Sequence, residues 1–183
     1  MADSRRFTDG RILVVAFDGW NDAAEASSGA LRLVREQLGL DELAQVVDPE
    51  EYIDFQFNRP TIAADDDGNR RLEWPQVTLY GRPQSSGRRR ARPAQSVLRE
   101  PGDGSNIYVL IGTEPSRSWR RFSAEVLDAV AAYRITHLVV VGAMLADVPH
   151  TRPIAVFATS ENESLRDELG LDRSSYELSL IHI

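Results

Sequence analysis

Three short apolar runs, each ending in a polar turn, constrain this chain more than any other feature. They are Arg11–Phe17 (RILVVAF), Asn106–Ile111 (NIYVLI) and His137–Val141 (HLVVV). Runs this short, rich in β-branched residues and without polar alternation, suit strands buried on both faces of a helix-covered parallel sheet. The first two lead into helical patterns. Ala26, Ala30, Leu31, Val34 and Leu38 recur at three-to-four spacing over Ala23–Leu38, and Gly39 stops them. Trp119, Phe122, Val126, Val130 and Tyr133 do the same over Arg117–Arg134, behind Ser116 as a cap.

Between and after these units lie weaker signals. Leu43–Val47, ending at Asp48-Pro49, and Val77–Tyr80 read as strands, as does Pro153–Ala158. Thr61–Ala63 and Arg71–Trp74 flank Asp65–Asn69 in the manner of a hairpin. Glu161–Leu169 reads as a short helix capped by Ser160 and closed by Gly170. This alternation predicts an α/β fold: a three-layer α/β/α sandwich around a mainly parallel sheet.

Composition narrows the function classes. The 183 residues contain no cysteine, which excludes disulfides, thiolate metal sites and a cysteine nucleophile. All 21 basic residues are arginine, the mark of a GC-rich coding sequence, so Schiff-base and P-loop lysine chemistry are excluded too. The net charge of −7 argues against general nucleic-acid binding. It is unevenly spread: Arg82–Glu100 carries a local +5, leaving −12 for the rest. No stretch reaches the roughly 18–20 apolar residues of a membrane span, and Met1–Arg11 lacks the layout of a signal peptide. The expectation is a soluble, cytoplasmic protein that contacts neither membrane nor nucleic acid.

Ligands of open α/β sheets bind beyond the carboxyl ends of the strands. Three such ends carry polar clusters: Asp18–Asp22, Gly112–Arg117 and Gly142–Pro153. If the strands are neighbours, Asp18, Glu114, Asp147, His150 and Arg152 share one rim. Asp18, Glu114 and His150 are the candidate acid–base groups, and Arg152 is a candidate anion clamp. Trp20, Asn21, Asp22, Arg117, Trp119, Asp147 and Arg152 are candidates for ligand or partner binding. Each also has a purely structural use. Asp18, Asn21 and Asp22 are cap and turn formers, and Glu114 suits the positive end of the following helix. No G-x-S-x-G elbow is present. His137, His150 and His182 make no ligand pattern, so neither metal nor cofactor is expected. Asp65–Gly68 lacks the alternate ligands of a calcium loop and reads as a turn.

Three segments are similar to the signature stretches of the proteasome assembly chaperone 2 family, in its bacterial branch. They are Phe17–Ala23 (FDGWNDA), Gly112–Trp119 (GTEPSRSW) and Gly142–Pro153 (GAMLADVPHTRP), and Arg59-Pro60 fits as well. The resemblance covers about residues 10–81 and 105–177. It implies a fold like the purine nucleoside phosphorylases and a tendency to self-associate, trimers included. Eukaryotic members help assemble the proteasome core, so a proteasome-related or other protein partner is implied. The resemblance assigns no catalytic residue. It further implies that residues 1–177 form a single domain, incomplete at its C-terminus. Residues 82–105 leave the family pattern, as a disordered or frame-shifted insert would, and 178–183 have the look of a non-native tail.

Two functions are therefore expected. The first is a chaperone-like, homo-oligomeric protein-binding module. The alternative is an enzyme acting on a nucleoside or phosphorylated metabolite in a crevice at the strand ends.

Overall fold

The computed structural model describes residues 7–65, 67–82, 106–149 and 151–171. The insert expected over 82–105, apart from its first residue, lies outside them, as do the tail at 178–183 and His150.

The first apolar run forms β1 (Ile12–Asp18) and the polar turn after it leads into α1 (Ala26–Leu38). Next come β2 (Asp41–Gln45) and a four-residue helix, α2 (Pro49–Tyr52). The hairpin β3 (Thr61–Ala64) and β4 (Arg70–Glu73) precedes β5 (Val77–Gly81). Then follow β6 (Ile107–Thr113), α3 (Trp119–Ala132), β7 (His137–Val140) and α4 (Glu163–Leu169).

Five strands make one sheet in the order β2-β5-β6-β1-β7. β1 lies between β6 and β7, in parallel register with β6 from Ile12↔Ile107 to Asp18↔Thr113 and with β7 from Ile12↔His137 to Val15↔Val140. β5 runs antiparallel to both of its neighbours, β2 and β6, so the sheet is mixed, with β5 alone reversed.

Side chains alternate across a strand, and the two faces of β1 go to different layers. Leu13 and Val15 join Tyr108, Leu110, Phe122, Val126 and Tyr133 in one core, covered by α3. Ala16 joins Val109, Leu31 and Leu40 in the other, covered by α1. The expected three layers are present, and β1 needs apolar residues at nearly every position because both of its faces are covered.

Several local expectations are corrected. Pro153–Ala158 forms no strand: its apolar side chains are exposed and no ladder pairs it among the described residues. β propensity without a partner to supply hydrogen bonds does not make a strand. Asp48-Pro49 opens α2 instead of merely ending a strand. Asp48 Oδ1 accepts from the Glu50 N–H, and Pro49 takes the first helical position, where no N–H is needed. α3 begins at Trp119 behind Ser118, and Asn162 caps α4 by accepting from Leu165 N–H, while Ser160 Oγ accepts from Asn162 N–H. The turn expected between β3 and β4 is supported by Gly68 N–H donating to the Asp65 carbonyl and by Asp65 Oδ1 accepting from the N–H groups of Asp67 and Asn69.

The hairpin β3–β4 stands apart from both cores. Ile62 is 69% exposed, whereas Leu110 is 1% exposed. Leu110→Ala should therefore cost about 2–5 kcal/mol, while Ile62→Ala should stay within roughly 0.5 kcal/mol of the parent, both read from urea unfolding midpoints.

Candidate functional site

β1 and β6 are adjacent and parallel, yet the helices that follow them cover opposite faces of the sheet. Chain segments that part in this way leave a crevice beyond the strand ends. A cleft of about 340 Å³ lies there, lined by Asp18, Gly19, Asn58, Glu114, Pro115, Ser116 and Trp119. The third polar segment reaches the same rim: Asp22 bridges to Ala143, whose N–H donates to the Asn21 carbonyl and whose carbonyl accepts from Ala23 N–H. The three polar strand ends thus meet.

Glu114 has a different structural task from the one expected. Its Oε2 accepts from the Trp20 N–H at 3.1 Å, and its own N–H donates to the Asp18 carbonyl. It ties the end of β6 to the turn after β1. That turn needs glycine at position 19, where φ is +141° and a Cβ would stand 2.6 Å from Glu114 Oε2. With its backbone held, Trp20 projects its ring outward, 73% exposed.

Asp22 is buried and caps α1 from a distance. Its Oδ1 accepts from Ser27 N–H (2.7 Å), Ser27 Oγ (2.5 Å) and Ser28 N–H (3.2 Å). Burial pulls its pKa up, but these hydrogen bonds outweigh burial and leave the carboxyl below its ordinary range. Reaching those donors puts Ala24 and Glu25 at φ +57° and +55°, a left-handed pair that costs residues with a Cβ about 1 kcal/mol or more each.

Asp18 is the opposite case. Desolvation dominates and raises its pKa, against hydrogen bonding from Thr113 and the charge of Arg32. Its Oδ1 is buried with no hydrogen-bond partner among the described residues.

Arg117 points away from the acids. Its Nε and Nη2 donate to the Glu51 and Glu50 carbonyls at 3.0 and 2.6 Å, so it secures α2. Other contacts hold α2 as well. Arg121 pairs with Glu51, Ser116 N–H donates to the Tyr52 carbonyl, and Tyr52 Oη donates to Glu125 at 2.6 Å. Burial and the Glu125 carboxylate push the Tyr52 hydroxyl up to about 12. The Asp54 N–H donates to Ser116 Oγ, so the hydroxyl expected to cap α3 serves the segment after α2 instead.

The cleft therefore gathers Asp18, Glu114 and Trp119, with Trp20, Asn21 and Asp22 in the adjoining turn. Asp147 and Arg152 lie on an exposed stretch and do not line the cleft, and His150 is outside the described residues. Sequence reading missed Asn58 as a lining residue and Thr113 as Asp18's partner. The β1–β6 register pairs Asp18 with Thr113, and only the strand order reveals it. No group of His, Asp and Glu among the described residues is placed to hold a metal ion. No helix among them is long and apolar enough to cross a membrane.

The two aspartates should respond oppositely to substitution. Asp22→Ala should cost about 1–2 kcal/mol near neutral pH, because the cap is lost. A lowered carboxyl contributes stability above its unfolded pKa, so this cost should shrink as pH falls through the carboxylate range. Asp18→Asn should raise the Tm near neutral pH, because ionised Asp18 disfavours folding above its unfolded pKa. That gain should vanish as acid protonates Asp18 in the parent. Thermal unfolding across pH checks both signs.

The sequence profile of the PAC2 family matches residues 16–180. No curated protein matches the chain. A solved PAC2 family protein from Streptomyces avermitilis is 33% identical, with a TM-score of 0.67 over 91% of this chain and 63% of its own. A Mycobacterium tuberculosis proteasome-assembly chaperone homologue is 32% identical, with a TM-score of 0.65 over 91% of this chain and 63% of its own. A second Mycobacterium tuberculosis protein, of unknown function, is 25% identical with a TM-score of 0.57, over 87% and 49% of the two chains. The chain thus spans less than two thirds of the length of these solved relatives. With the family's sequence pattern running through most of its residues and the fold shared with solved members, the chain belongs to the PAC2 family.

Proposed function

We propose that this chain is a chaperone-like protein-binding module that acts as a homo-oligomer and grips a protein partner at the strand-end rim. The observation that carries this reading is Trp20: a large aromatic, 73% exposed, on a turn whose backbone is fixed by Glu114. Rigid, outward aromatics are what interface anchors are made of, since they bury much area at little cost in side-chain entropy. The polar groups around it are occupied structurally: Asp22 by α1, Glu114 by the Trp20 N–H, Arg117 by α2. Family membership supports the chaperone-like class, and the likeness to a proteasome-assembly chaperone homologue favours proteasome core subunits as the partner. The module would act in the cytoplasm, where such assembly takes place.

Purified core subunits, titrated with the chain while core assembly is followed, test this reading. Trp20→Ala should weaken binding at least about tenfold and slow assembly, as loss of an interface hot spot does. Unchanged affinity, or no binding by the parent, would sink it.

A second reading rests on Asp18. A carboxylate oxygen buried without a partner, at a crevice between diverging helices, suits an acid–base group in a small-molecule enzyme. No basic side chain among the described residues lines the cleft, so an uncharged nucleoside fits better than a phosphorylated metabolite. A nucleoside that raises the Tm of the parent but not of Asp18→Asn would favour the enzyme. No shift across nucleosides would count against it.

A further inference from the structure

The strand-end cleft holds two carboxylates whose charge nothing nearby balances. Asp18 and Glu114 both line it, and neither is in an ion pair among the described residues. Their surroundings deepen the imbalance. Asp22 and Glu25 act on Asp18 with like charge, while Arg32 acts against them and is itself paired with Glu25 at 3.5 Å. Arg117, on the same loop as Glu114, gives its Nε and Nη2 to the Glu51 and Glu50 carbonyls. Glu114 uses one oxygen for the Trp20 N–H, and Asp18 Oδ1 is buried with no hydrogen-bond partner among the described residues. Carboxylates in partly desolvated surroundings, short of compensation, attract a cation more strongly than they would in open water.

The rest of the lining selects the cation. A hard metal ion needs a shell of several oxygens, and the described residues offer no such group. Trp119 is half-buried and gives the cleft an indole wall, and the volume of about 340 Å³ admits a long side chain. A guanidinium is planar and weakly hydrated, lies against indole, and meets carboxylates through paired N–H donors. An ammonium is compact and strongly hydrated, and uses an aromatic wall less well. Gly19 also lines the cleft and directly precedes Trp20, so a partner seated on the Trp20 ring reaches the cleft. We infer that the cleft receives an arginine side chain of the protein partner, its guanidinium against Trp119 and balanced by the charges of Asp18 and Glu114. This rests on Trp20 serving as the partner's anchor, and it names the chemistry that the partner brings.

The probe is N-acetyl-arginine methylamide, with the citrulline analogue as its uncharged isostere and the lysine analogue as a second cation. The arginine probe should shift the backbone amide resonances of Gly19 and Glu114 saturably, and the citrulline analogue should not. Asp18→Asn and Glu114→Gln should each weaken the probe at least about tenfold, since each removes a charge and keeps the shape. Glu114→Gln retains an oxygen for the Trp20 N–H, so an unmoved Trp20 amide resonance reports an intact turn. No saturable shift, equal binding of the citrulline analogue, tighter binding of the lysine analogue, or variants that bind like the parent overturns the inference. In the core-subunit titration the Asp18→Asn/Glu114→Gln double variant should lose at least about tenfold in affinity. Unchanged affinity there, with binding still dependent on Trp20, overturns the inference and leaves the proposed function standing. A bound probe alongside core subunits that do not bind the parent overturns the proposed function and leaves the guanidinium site standing.

Discussion

Everything in this fold depends on burying β1 on both sides. Its seven residues are paired to β6 along their whole length and to β7 over the first four. Its alternate side chains feed two separate cores. Neither helix layer has a seat without it. Because β1 lies between β6 and β7, the turn at its end becomes the point where three distant segments meet. The polar rim is thus a geometric by-product of the most hydrophobic strand.

The rim also shows how acids can be spent on architecture. Glu114 and Asp22 both satisfy backbone N–H groups that a sharp turn would otherwise leave unpaired. The left-handed Ala24 and Glu25 are the cost of bringing Asp22 within reach of α1. Asp18 receives less compensation. Its environment opposes ionisation while the neighbouring Asp22 favours it, and this contrast is the main chemical asymmetry of the site.

Much of this was legible in the residues. The doubly buried strands, α1 and α3 follow from apolar periodicity, and the three polar segments were recognisable as strand ends. Their meeting was conditional on strand order, which periodicity does not encode: the pairings Asp18↔Thr113 and Asp22↔Ala143 join residues far apart in the chain. Caps were misplaced where several hydroxyl or amide residues crowd a helix start, as at Ser116 and Ser118. There tertiary contacts decide the outcome: the segment after α2 claims the Ser116 hydroxyl. Pro153–Ala158 failed for the reverse reason, since a strand signal says nothing of whether a neighbour exists. α2 was missed because four residues show no period. Its marks are the Asp48-Pro49 pair and the arginines that hold it, Arg117 just before α3 and Arg121 on it.

The register of β1 has a consequence for the order in which the protein can form. Ile12 must wait for Ile107 and then for His137 before its backbone is paired on both sides. A ribosome therefore releases the most apolar strand first and its partners late. Contacts this distant in sequence carry a large loop-closure cost and slow the search for the native pairing. Through that interval β1 is an unprotected, aggregation-prone segment, so a nascent chain of this kind needs shelter until β6 and β7 emerge.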